Sequence, residues 1–261
     1  SGVLSGTPTT AALTEVEVQV RDSAGRTGFG FVTIRINPAS SGPTVTRVDV
    51  LGDLTCTAEV AAFDDHPALY YGDTACGTFL QVDDRLFGPG YLPAGPEDNA
   101  LWDPVSQTRT GAGTAGDPYV ITTVVDAGDT GVRLTQTDRW VEGAPTWSTT
   151  ATVTSASGPH RLRLSRAHDC YVETSDTGWG AAGPGGSTWC TGETSQMQLV
   201  PDTAGSTFME GFYDSVWNAV RARADLPDTV DPSYHDNAQA LSWSLAGPST
   251  VGWHSTLVWM N

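Results

Sequence analysis

Near the start of the chain, Val16, Val18 and Val20 alternate with Glu15, Glu17 and Gln19, and Phe29, Phe31 and Thr33 alternate with Gly30, Val32 and Ile34. A period of two puts successive side chains on opposite faces, so both runs predict strands, and Asp22-Ser23-Ala24-Gly25 between them supplies the turn. A two-stranded hairpin is marginal alone, so another element is expected to cover its apolar face. The segment Asn37-Pro38-Ala39-Ser40-Ser41-Gly42-Pro43 has the composition of a linker. The division that follows is a hairpin unit over residues 1–37, a linker over 38–44 and a second domain over 45–261.

In that second domain, apolar or β-branched runs recur at 45–51, 55–63, 78–82, 119–126, 132–141, 146–155, 161–166, 197–200, 240–245 and 253–259, most of them separated by Gly- or Asp-bearing turns. Many short strands with turns between them predict an antiparallel β-sandwich. One segment departs from the pattern. Thr207 and Glu210 have capping-box spacing, and Phe208, Phe212, Val216 and Val220 then recur every four residues, which predicts a single amphipathic helix near 207–224. Arg221 and Arg223 suit its last turn and Pro227 its end. The fold class expected is mainly β: a hairpin, then a large antiparallel sandwich with one helix.

Leu4-Ser5-Gly6-Thr7-Pro8-Thr9-Thr10 and the two alternating runs through Ile36 together resemble the closing half of a bacterial immunoglobulin-like surface repeat. The resemblance covers residues 4–36 only. It implies a protein that works outside the cell, and, because a complete sandwich of this kind needs about 100 residues, further chain before Ser1. The stretches 71–79 and 166–171 resemble a group of large secreted actinobacterial proteins. The β-rich body is similar to the supersandwich of galactose-mutarotase-like proteins, a likeness of strand count and size that carries no active site with it.

Composition narrows the function classes. The net charge of -17 repels phosphate backbones, so nucleic acid is not expected as a partner. All 13 cationic residues are arginine. Without lysine the chain holds no Walker-type phosphate loop, no Schiff-base nucleophile and no lysine-derived isopeptide staple. Cys56, Cys76, Cys170 and Cys190 lack the close spacing of zinc or redox motifs, which points to disulfides, with Cys56–Cys76 and Cys170–Cys190 favoured among the three pairings. Disulfides imply an oxidising compartment. No stretch approaches the length of a membrane span, so no membrane insertion is expected, and no signal peptide or sorting motif is visible.

Candidate chemistry is sparse. Gly111-x-Gly113-x-x-Gly116 fits a dinucleotide fingerprint, but it leads into the β-branched run at Tyr119 rather than a helix, so a flexible loop is expected instead. A base and an acid facing each other across a sugar would require His168 and Glu173, although His168 and the neighbouring Asp169 should point to opposite faces of a strand. Calcium is the one cofactor that the acidic turns suggest, at Asp64, Asp65 and Asp73 or at Asp228, Asp231 and Asp236. Tryptophan carries the binding signal. Trp179 and Trp189 lie in a Gly-rich loop, 176–193, tethered by the favoured Cys170–Cys190 bond, and Tyr91 and Trp102 lie in a second long loop, 84–117.

The leading expectation is a non-catalytic module of a secreted or cell-surface bacterial protein, serving adhesion or surface architecture, with a cell-surface or matrix glycan or protein as its partner. One alternative is a carbohydrate-active enzyme of epimerase or lyase type on the supersandwich scaffold. Another is a fibre subunit that self-assembles through its N-terminal hairpin by strand complementation.

Overall fold

A computed structural model describes residues 12–21, 23, 25–36, 44–63, 66–90 and 99–260. The chain forms two compact units, Ser1–Gly42 and Pro43–Asn261. In the first, β1 (Ala12–Arg21) pairs antiparallel with β2 (Thr27–Ile36), with Arg21 opposite Thr27 beside the turn.

The second unit begins with a small antiparallel pair, β3 (Val45–Val50) and β4 (Cys56–Val60). The strands that follow are β5 (Cys76–Val82), β6 (Arg85–Gly88), β7 (Ala100–Leu101), β8 (Asp103–Thr110), β9 (Tyr119–Asp126), β10 (Val132–Trp140), β11 (Thr146–Ser155) and β12 (Leu162–Asp169). After them come β13 (Thr177–Ala182), β14 (Thr188–Thr191), β15 (Ser195–Pro201), β16 (Ser206–Phe212), helix α1 (Tyr213–Arg221), β17 (Thr229–Val230), β18 (Tyr234–Leu245) and β19 (Ser249–Trp259). One sheet contains 15 of these strands, in the order β7-β6-β5-β12-β18-β13-β14-β15-β19-β11-β10-β9-β8, with β16 paired to β18 and β17 to β16. All of its pairings are antiparallel except β6 with β7 and β16 with β17. The sheet folds over on itself into a sandwich-like, nearly closed body. Thr78 on β5 reaches Gln136 on β10, and Gln239 on β18 reaches the Met197 carbonyl on β15, each across the interior.

Alternation sets what faces inward. On β10, Val132, Leu134, Gln136, Asp138 and Trp140 are buried while the residues between them are more exposed. Strand β12 is buried on both faces, because α1 covers its outer side. Small residues make that possible: Ala167, Ala238 and Ala240 leave room for Val216, Trp217 and Val220 of the helix, and Phe79 meets Trp217 edge-on with ring centroids 5.9 Å apart. Disulfides join Cys56 of β4 to Cys76 of β5, and Cys170, just beyond β12, to Cys190 of β14.

Three expectations are corrected. The helix covers Tyr213–Arg221 rather than 207–224, and Thr207 and Glu210 belong to strand β16. The long loop 84–117 contains β6, β7 and β8, and 176–193 is largely the hairpin β13–β14. The Gly111–Gly116 segment is a tight loop: the Ala112 and Thr114 amides both donate to the Asp117 carbonyl, and the Glu142 amide donates to Gly113.

Candidate functional site

Among the described residues, an exposed aromatic pair borders a cleft where the hairpin β13–β14 joins the start of β18. The register sets Trp179 opposite Tyr234 and Thr177 opposite Asp236, so these four side chains share the outer face. Trp179 and Tyr234 are 42% and 57% exposed, and their rings pack at a centroid distance of 4.6 Å. The Thr177 hydroxyl donates to the Tyr234 phenol oxygen at 3.0 Å and fixes that ring from its polar end. Both aromatics border a cleft of about 210 Å³ whose other walls include Glu173, Ser175, Thr177 and Glu193.

Glu173 shapes one wall of this cleft. Its Oε1 accepts from the Thr194 amide and hydroxyl and the Ser195 hydroxyl at 2.7–2.9 Å, and its Oε2 accepts from the Glu193 amide at 2.9 Å. Partial burial pushes the carboxyl up, but these donors outweigh it and hold the group below its ordinary range. Gly192 lets the carboxylate come close, since a Cβ there would lie 2.8 Å from Glu173 Cδ. Glu173 is thus a clamp on the 192–195 turn. His168, by contrast, is fully buried in the sandwich interior, where Gln239 Nε2 meets its Nε2 at 2.8 Å and Tyr70 packs on its ring. Burial and the nearby Arg166 charge drive its pKa well below the ordinary value, leaving a neutral imidazole. His168 and Glu173 share no hydrogen-bond partner among the described residues, and His168 and Asp169 do face opposite sides of β12.

Trp189 lies opposite Ala181, one diagonal step from Trp179 on the same face. Its ring packs over Gly183, where a Cβ would come within 2.4 Å of Cζ2. Trp102 belongs to the core: it is 3% exposed, and its indole N–H donates to the Thr78 carbonyl. Tyr91, Asp64 and Asp65 lie outside the described residues. Asp73 is exposed and pairs with His66 Nε2 at 3.3 Å. Asp228 and Asp231 accept backbone amides, from Phe208 and Ser233. No group of three or more His, Cys, Asp or Glu is arranged to hold a metal among the described residues.

Three acids near these strands, which the sequence suggested only as a neighbour of His168, a helix cap and a calcium candidate, have raised pKa values. Asp169 is pushed up to about 8, first by burial and then by the charges of Asp236 and Asp176. Burial also lifts Glu210 to about 8, against the pull of its hydrogen bond from Asn237. Burial and the Asp176 charge raise Asp236 to about 6. Tyr234 was hidden because it follows Asp231-Pro232-Ser233, which reads as a turn, although the β18 alternation of Tyr234, Asp236, Ala238 and Ala240 begins there.

No protein-family model matches the chain, so the immunoglobulin-like resemblance rests on sequence alone, and no curated protein matches either. Among solved structures, a bacterial glucoamylase complexed with acarbose is similar, with a TM-score of 0.55 and 10% identity over 96% of this chain. The chain spans 36% of that glucoamylase's length. At this identity the likeness is one of fold, and it is consistent with the supersandwich-like body expected from strand count. The two disulfides are consistent with an extracellular setting, and no helix among the described residues is long and apolar enough to cross a membrane.

Proposed function

We propose that residues 43–261 form a non-catalytic, glycan-contacting module of a secreted or surface-displayed bacterial protein, and that the Trp179–Tyr234 face receives the sugar. The exposed, hydroxyl-anchored aromatic pair beside a cleft is the observation that carries this reading. Flat ring faces suit the apolar faces of sugar rings, while Thr177, Ser175 and Glu193 offer hydrogen-bonding groups to hydroxyls at the rim. The fold shared with a glucoamylase supports a carbohydrate-related role, and the complete burial of His168 supports the non-catalytic form of it.

A glycan array run with the whole chain tests the reading. Trp179→Ala is expected to lower the affinity for any retained glycan at least tenfold, as central aromatic anchors do, and to leave the unfolding temperature nearly unchanged because the side chain is half exposed. Silence across the array, or wild-type affinity retained by both Trp179→Ala and Tyr234→Ala, would exclude the face as a glycan platform.

A further inference from the structure

A second cleft, of about 370 Å³, lies between β3 and the strands β8, β9 and β10. We propose that it binds an anionic sugar ring, a pyranose bearing a carboxylate. The site lies on other strands than Trp179 and does not depend on the reading above.

Its floor is aromatic. Tyr119 and Trp140 face each other across β9 and β10 with ring centroids 4.9 Å apart. Gly113 of the tight loop rests on Tyr119: a Cβ there would lie 2.3 Å from Cε2, and the residue's φ of +77° suits glycine. The loop that reads in sequence as a nucleotide fingerprint thus holds the floor in place.

Its rim is rich in donors. Asp49 sits between two arginines: its Oδ1 accepts from Arg109 at 2.5 Å and from the Val50 amide at 2.8 Å, and its Oδ2 accepts from Arg47 at 3.0 Å. Hydrogen bonds from these arginines outweigh the effect of burial and hold the Asp49 carboxyl below its ordinary range. Both carboxylate oxygens are therefore engaged. Arg109 Nη2 also reaches the Val50 carbonyl at 3.0 Å, which steadies the guanidinium. What remains to meet a ligand are donors: the outer N–H groups that Asp49, Glu59 and the Val50 carbonyl leave open on two half-exposed arginines. Arg47 Nη1 also donates to Glu59 Oε1 at 2.9 Å, so two guanidiniums meet two carboxylates, and it is the open N–H groups of the rim rather than a net charge that face a ligand. Donors without acceptors call for an acceptor-rich ligand, the planar guanidinium fork matches a carboxylate, and the aromatic floor matches a sugar ring. The volume lies within the ~300–1,000 Å³ of small-molecule sites.

Titration calorimetry on the whole chain with trigalacturonate, its neutral methyl ester and triglutamate distinguishes an acidic sugar from a neutral sugar or a bare carboxylate. Trigalacturonate is expected to bind at least tenfold more tightly than the ester, with no binding of triglutamate. Arg109→Gln and, separately, Arg47→Gln should each weaken trigalacturonate about tenfold, whereas Trp179→Ala should leave it unchanged. Two arginine variants guard against one that fails to fold, and thermal melts identify such a failure. Equal binding of acid and ester, binding of triglutamate as tight as that of trigalacturonate, absence of trigalacturonate binding, or folded arginine variants with wild-type affinity would each overturn the assignment.

Discussion

Replacing Arg166 with alanine is expected to destabilise the sandwich by about 3–5 kcal/mol, as removal of one partner from a buried charged network does. For a domain of this size that corresponds to a fall of about 6–20 °C in the unfolding midpoint. Arg166 is 2% exposed, and its guanidinium carbon lies 5.9 Å from the centre of the Trp253 ring. Its Nη1 donates to the Thr78 hydroxyl at 3.3 Å, that hydroxyl donates to Gln136 Oε1 at 2.7 Å, and Gln136 Nε2 donates to Asp138 Oδ2 at 2.9 Å. Thr149 closes the far end by donating to Asp138 Oδ1 at 2.7 Å. The relay ties β12 and β5 to β10 and β11 across the core, so its loss should be felt by the whole body. Burial raises the Asp138 pKa, while Gln136, Thr149 and the Arg166 charge pull it down. Alanine at 166 would remove that attraction and leave a cavity beside Trp253. Arg166→Met combined with Asp138→Asn should cost clearly less than the two single changes added together, because neither charge is then left alone. Additive losses in chemical denaturation would show that the two groups are not coupled.

How much of this was legible in the sequence depends on which face each strand buries. Strands Tyr119–Asp126 and Thr146–Ser155 match their expected ranges because one face meets the core and alternation survives. Strand β8, by contrast, is exposed at nearly every position and carries no apolar period, so it read as loop. The misplaced helix start has a different cause. A spacing of four is even, so Phe208 and Phe212 satisfy a strand's period of two as well as a helix's turn. Antiparallel pairing of Ser206–Phe212 with β18 decided the matter, and only the segment after Phe212 winds into a helix. Trp179 could be singled out because glycines flank it; its partner Tyr234 could not, since their proximity is set by a pairing 55 residues apart. The buried relay was equally hidden, because nothing in the spacing of Arg166, Gln136 and Asp138 shows that their strands meet across the interior when the sheet folds over.

The same burial gives the protein a second large expected response: it should unfold at a higher temperature at pH 5 than at pH 8. Asp169 and Glu210 both have folded pKa values of about 8, raised chiefly by burial. A carboxyl whose pKa is raised by folding contributes fully below its unfolded value, near 4, and its contribution is lost as pH climbs through the folded value. The window therefore runs from about pH 4 to about pH 8 for these two, and it closes near pH 6 for Asp236. The oppositely shifted acids Asp49, Asp126, Asp225 and Glu173 do not offset the trend, because their contributions are already complete above about pH 4. Allowing for relaxation and residual solvent, the loss between pH 5 and pH 8 should be on the order of 4 kcal/mol. Asp169 is the clearest case: its Oδ1 is buried without a partner, and ionisation would set a charge near Asp236 and Asp176 that the hydrogen bond from Trp217 of the helix offsets only in part. Asp169→Asn imitates the protonated acid, so it should stabilise the protein at pH 8, change little at pH 5 and flatten the slope between them. Melting curves of the wild type, Asp169→Asn and Glu210→Gln from pH 5 to pH 9 measure this directly. A wild-type midpoint that rises across the range, or an Asp169→Asn variant weakened equally at both ends, would mean that these carboxyls find solvent or partners when they ionise.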